Sequence, residues 1–104
     1  MEVLVQFDAL PWEAPLPGLR FKAFVHGAQR LRLLEFSAGF EEPKWCTNGH
    51  AFHVLDGSFT LRLRDGEVRL KAGDVGFLPA GEPHAHKAVL GPKESARLLL
   101  FETV

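Results

Sequence analysis

The sequence predicts an all-β domain, a sandwich or barrel of eight or nine short strands. Helical periodicity is nearly absent, alternation of apolar and polar residues is common, and ten Gly and seven Pro punctuate the chain at short intervals. At 104 residues the chain has the size of one domain. Its 46% hydrophobic content is that of a globular protein.

In chain order, residues 1–18 read as an irregular arm, because Pro11, Pro15 and Pro17 break any regular ladder. Strands are expected over 19–26, 29–36 and 50–55. The run Ser58-Phe59-Thr60-Leu61-Arg62-Leu63-Arg64 alternates strictly, as a half-buried strand requires. Asp56-Gly57 before it and Asp65-Gly66 after it read as tight turns. Glu67 to Leu70 resumes the alternation with Val68 and Leu70 inward, giving a hairpin. Further strands are expected over 75–78, 85–90 and 97–103. Phe52, Val54, Phe59, Leu61, Leu63, Val75 and Phe77 are the expected inward row.

Twelve basic against thirteen acidic residues give a net charge of −1, with no basic run, so neither nucleic acid nor an anionic membrane is an expected partner. No stretch of eighteen apolar residues spans a bilayer. The start, Met1-Glu2-Val3-Leu4, lacks the basic region of a signal peptide, and a single Cys forms no internal disulfide. Both point to a cytoplasmic protein.

Two segments resemble motifs of the cupin family. Gly73, Pro79, Gly81 and His84 stand at the spacing of the second cupin motif, a Gly, five residues, Pro-x-Gly, two residues, then His; the segment runs over 73–86. Val54-Leu55-Asp56-Gly57 is similar to the close of the first motif, over 44–57. In that alignment His50 stands where cupins usually carry a metal-binding Glu, Cys46 and Lys44 where they carry two His, and Ala88 where the second motif ends in Asn. Trp45-Cys46-Thr47-Asn48-Gly49-His50 resembles a variant found in small bacterial cupins. The resemblance implies a small cupin-type jelly-roll barrel, and its members include enzymes, storage proteins and sensors.

The candidate metal ligands are Cys46, His50, His84 and His86. Cys46 and His50 share a strand face by parity, yet on a straight strand they stand on the order of 13 Å apart, so the chain must bend, with positive φ expected at Asn48-Gly49. His84 and His86, about 6.6 Å apart on one face, can reach a common ion. A thiolate with imidazoles suits zinc first, with copper, nickel or iron(II) as alternatives, and disfavours magnesium or calcium. His86 decides between three ligands, which leave a position open, and four, which close the site. Phe52 and Phe77 are candidates for a substrate pocket, and Lys44 either reaches its mouth or is solvated. Glu41, Glu42 and Glu82 read as solvated turn residues, and no catalytic residue is assigned. A small-molecule ligand or substrate and a homodimer are the expected partners. Three readings stand open: a metal-dependent enzyme, a non-catalytic binding or sensing module, and a metal-free structural barrel.

Overall fold

Eight antiparallel strands form two sheets that share one bent strand. In the computed structural model, which describes residues 3–104, they are β1 (Glu13–Leu16), β2 (Leu19–His26), β3 (Gln29–Phe36), β4 (His50–Leu63), β5 (Gly66–Lys71), β6 (Val75–Leu78), β7 (His86–Val89) and β8 (Ala96–Thr103). The larger sheet runs β1-β2-β3-β8, then the first half of β4, then β6. The smaller one places the second half of β4 between β5 and β7. Two 3-10 turns, Phe7–Ala9 and Glu82–His84, are the only helical segments among the described residues, and no helix is long and apolar enough to cross a membrane.

The expected arm is more regular than its three prolines suggest. Glu13–Leu16 forms an edge strand on β2, with a register shift between its two paired positions, and an edge is where a strand tolerates Pro. Trp12 is held by cations: the Arg20 guanidinium lies 3.9 Å and the Lys22 ammonium 4.8 Å from its ring centre. Residues 1–2 of the arm lie outside the described residues.

Asp56-Gly57 is not a turn between two strands. The pair sits inside the fourteen-residue β4, where the register against β8 slips between Val54 and Asp56. Gly57 adopts φ 81°, and a Cβ there would stand 1.8 Å from the Ser95 carbonyl oxygen, so only glycine fits. The slip reverses parity. Before it the buried positions are His50, Phe52 and Val54; after it they are Phe59 and Leu61. A single strand thereby serves both sheets and encloses one core, in which Phe36 stacks on Phe40 at 5.3 Å and tilts against Phe59 at 5.7 Å.

Three residues expected inward face outward. Val75 and Phe77 are 75% and 77% exposed. Their β6 pairs with β4 as His53↔Val75 and Ala51↔Phe77, which sets them on the face opposite Phe52 and Val54. The inward position of β6 is Gly76, where a Cβ would come within 2.2 Å of the Phe52 ring. That ring occupies the space a side chain would need. Val68 on β5 is also exposed, while Leu70 is buried as expected.

Candidate metal centre

Cys46 is positioned by β7. It and His86 exchange both backbone hydrogen bonds, Cys46 N–H to the His86 carbonyl at 2.9 Å and His86 N–H to the Cys46 carbonyl at 3.0 Å. Directly opposed residues present their side chains on one face, so Sγ and the His86 imidazole start together. From Cys46 the chain bends at Asn48 and enters β4 at His50. The expected bend exists, although neither Asn48 nor Gly49 has positive φ. Gly49 serves a different need: a Cβ there would lie 3.0 Å from the Ala80 nitrogen and 3.2 Å from the Leu78 carbonyl oxygen, so it lets the loop pass close to the backbone after β6. Gly81 N–H donates to the Thr47 carbonyl and ties the same loop down.

The bend brings Cys46 Sγ to 3.6 Å from His50 Nε2. The His50 and His86 rings stand edge to face with centroids 5.3 Å apart. One donor atom from each of Cys46, His50 and His86 lies within 4.8 Å of the others. Tetrahedral zinc, with thiolate at about 2.3 Å and imidazole at about 2.0–2.1 Å, sets those donors roughly 3.5 Å apart. The Sγ–Nε2 separation already has that value.

Both imidazoles are oriented from behind. His86 Nδ1 faces the His84 carbonyl oxygen at 3.2 Å; a carbonyl only accepts, so Nδ1 carries a proton and Nε2 is the nitrogen turned to the centre. His50 Nδ1 lies 2.8 Å from Glu102 Oε2, close enough for an ion pair though off the line of a well-formed hydrogen bond. A carboxylate behind a ligating imidazole is a common support for a metal site. Glu102 is buried and in turn held by arginines. Arg32 reaches both of its oxygens, and Arg30 Nε donates to Oε1 at 3.1 Å.

These contacts shift the proton affinities. Hydrogen bonds from His50 and then His86 pull the Cys46 thiol down to about 5. Burial works against a charged His50, but its contacts with Cys46 and the Glu102 carboxylate outweigh burial and raise it to about 9. Burial likewise opposes the Glu102 charge, and His50, Arg32 and Arg30 overcome it and hold the carboxyl at about 2. The centre is therefore a thiolate beside an imidazolium, and an ion held there would take the place of that proton.

His84, expected among the ligands, lies outside the cluster. Gly81, at φ 117°, leads into the Glu82–His84 turn, which leaves the His84 side chain exposed and delays the strand start to His86. Its carbonyl orients His86. Of the expected pocket residues, Phe52 is a core residue in contact with Gly76, Phe77 borders a cavity from outside, and Lys44 is exposed and away from that cavity. Glu42 is not the solvated residue expected. Its Oε1 accepts the Ala88 N–H at 2.8 Å, and burial raises its proton affinity, with the fields of Cys46, His86 and His50 also acting on it. Glu82 stays at the surface, paired with Arg64.

The cavity, of about 650 Å³, opens where β3, β4, β6 and β8 end together. Arg30, His50 and Glu102 contribute to its wall, with Phe24, Leu31, Leu78 and Phe101 as apolar neighbours. Sequence reasoning missed Glu102, Arg30 and Arg32. The signal was parity: 30 and 32 share the face of Leu34 and Phe36, and 102 that of Leu98 and Leu100.

The family model described as Cupin domain matches residues 34–102. Among solved structures, the polyketide cyclase RemF from Streptomyces resistomycificus superposes with a TM-score of 0.82 at 26% identity, covering 99% of this chain and 80% of its own. A cupin-superfamily sugar phosphate isomerase from Silicibacter pomeroyi gives 0.80 at 17% identity, over 97% and 75% of the two chains. KdgF from a Halomonas species gives 0.75 at 21% identity, over 100% and 96%. No curated protein matches the sequence.

Proposed function

The chain belongs to the cupin family, and on that premise we propose that it is a metal-dependent enzyme acting on a small molecule. Cys46, His50 and His86 would hold one divalent transition ion, with zinc the first choice for one thiolate and two imidazoles. The observation that carries this reading is the meeting of those three donors within 4.8 Å, each imidazole oriented through its far nitrogen. Such an ion supplies polarisation of a substrate oxygen or activation of water. Three protein ligands leave a coordination position free, which favours an enzyme over a closed binding module. Glu42, whose burial favours its protonated form, is the nearby carboxyl suited to hold or pass a proton. RemF and the Silicibacter protein are named as small-molecule enzymes, which supports the same class here.

Elemental analysis of protein purified without an affinity tag tests the reading. One ion per chain is expected, lost in His86→Ala, reduced in Cys46→Ser and retained in His84→Ala. Protein that takes up no zinc, copper, nickel or iron under any loading condition sinks it.

The proposal includes a homodimer. The edge strand β6 carries exposed Val75 and Phe77, and Phe101 beside them is 46% exposed. An apolar edge of that kind invites a second copy. Light scattering after gel filtration should give twice the chain mass for wild type and the single mass for Phe77→Glu.

A further inference from the structure

We propose that two copies of the chain pack the outer faces of their large sheets together, with β8 of each protomer at the centre; the inference rests on the homodimer reading and names the surface that serves it. Directly paired residues present their side chains on one face. Outside the barrel, Phe24, Leu31, Phe101, Ala51 and Phe77 pair in one unbroken row across β2, β3, β8, β4 and β6. Two residues along each strand, the next row reads Lys22, Leu33, Leu99, His53 and Val75. The core inside the barrel is built from the opposite parity, Leu34, Phe52, Val54, Leu98 and Leu100. The two outer rows are therefore apolar surface that closing the barrel does not use.

Charge is kept to the margin of this face. Lys22, the one Lys, Arg, Asp or Glu in the two rows, donates to the Phe7 carbonyl at 3.0 Å and lies over Trp12. Beyond one row stand His26, Gln29 and Thr103; beyond the other stand Arg20, Glu35, Arg97 and Asp56. Glu35 bridges the two arginines at 2.7 and 2.8 Å. An apolar middle inside a polar rim is the anatomy of a protein interface. The two positive and two negative rim charges cancel, so identical faces meet without net repulsion.

Size agrees with a second copy as the occupant. Five strands about 4.8 Å apart, with four outward positions about 6.7 Å apart on each, give roughly 650 Å² of flat face. Side-chain relief brings the accessible area to the order of the 800 Å² that each partner buries in a stable complex. The sheet edges offer less. β6 has four residues, and β1, also four, contains Pro15, so neither presents a long ladder to a neighbouring strand. Packing by the face also leaves Cys46, His50 and His86 within one chain, since His50 is buried on the side of the sheet opposite Ala51.

Light scattering after gel filtration tests the assignment with Phe101→Glu, which charges the middle of the face, two strands away from the β6 edge. The variant should give the single chain mass where wild type gives twice that mass, with circular dichroism and zinc content unchanged. Phe101→Cys supplies a test by gain of signal. Facing sheets stand about 10 Å apart, so a short bismaleimide should join two chains through position 101. Val68→Cys, exposed on β5 of the other sheet, and wild type should not be joined. Should Phe101→Glu fail to fold, linkage at position 101 decides. A dimer that persists in Phe101→Glu and is not linked through position 101, yet dissociates in Phe77→Glu, pairs by its edge and overturns the face assignment alone. A monomeric wild type overturns the homodimer reading with it. Protein that links through position 101 but takes no zinc supports the face and overturns the metal centre alone.

Discussion

Along β3 the inward row reads Arg30, Arg32, Leu34, Phe36; along β8, from the same end, it reads Glu102, Leu100, Leu98, Ala96. The first half of β4 gives His50, Phe52, Val54, and β7 gives His86, Ala88. Each strand starts with ionisable residues at one end of the barrel and turns to hydrocarbon within one or two inward positions. The polar end is a chain of paired groups, from arginines through Glu102 and His50 to Cys46 and His86. The other end is an apolar core around Phe36, Phe40 and Phe59. Burial of apolar area at that end stabilises the fold and leaves the polar end free to hold charges whose burial is costly unless they are paired. The difference teaches a division of labour along the strand axis, made without separate elements for fold and site.

The largest expected effect tests whether the division is real. Phe59 is 1% exposed and packs against Phe36, so Phe59→Ala should cost about 3–5 kcal/mol, read from urea denaturation. Its metal content, measured below the transition, should equal that of wild type. Loss of metal in the still-folded variant would mean the two ends are one unit.

Next comes Glu102→Gln, which strips the buried charge that compensates two half-buried guanidiniums. A loss on the order of 3 kcal/mol is expected, together with weaker metal retention, because His50 loses its orienting partner. The variant also sharpens the acid behaviour. The Glu102 carboxyl is depressed from 4.5 to about 2, so its stabilisation is fully present above 4.5 and disappears as pH falls through about 2. Wild type should therefore lose stability over that window, and Glu102→Gln should lose less. Parallel acid limbs in the two proteins would place the charge outside the network.

How much of this was legible beforehand differs between the ends. Alternation located seven of the eight strands, because a half-buried strand writes its face into every second residue; the Pro-rich β1 hid in the arm. It also located the apolar row through Phe52, Val54, Phe59 and Leu61, since hydrocarbon at a regular spacing has few other readings. The polar row follows the same parity, but Arg30, Arg32 and Glu102 look like solvated charges until three strands are set side by side. Pairing across 70 and 72 residues of sequence is what cancels their burial cost, and no local pattern carries it. Cys46 and His50 were legible as ligand types. His84 and His86 were both named, because two residues on one face pass the same parity test; a 3-10 turn, invisible to alternation, separates them, and the cluster includes His86 alone. Val75 and Phe77 were misread for a related reason. An inward glycine, Gly76, reverses the apparent face of β6, and its cause is the Phe52 ring on a different strand.

The smallest expected effect on the fold gives the most direct view of the polar end. Cys46 is the chain's one thiol, so thiolate absorbance near 240 nm in metal-free protein reports it alone. Hydrogen bonds from His50 and His86 lower the thiol from 9.0 to about 5, and His50 rises from 6.5 to about 9. The ion pair therefore persists between those two limits: acid breaks it by protonating sulfur as pH falls through about 5, and base breaks it by deprotonating His50 as pH rises through about 9. The absorbance midpoint should lie near 5 in wild type and move upward toward the ordinary thiol range in His50→Ala, with circular dichroism unchanged. Phe59→Ala, at the far end, should leave the midpoint where it is. A wild-type midpoint near 9 would mean that sulfur and imidazoles do not meet in solution, and the polar end would then be packing around a lone thiol instead of a site built to hold an ion.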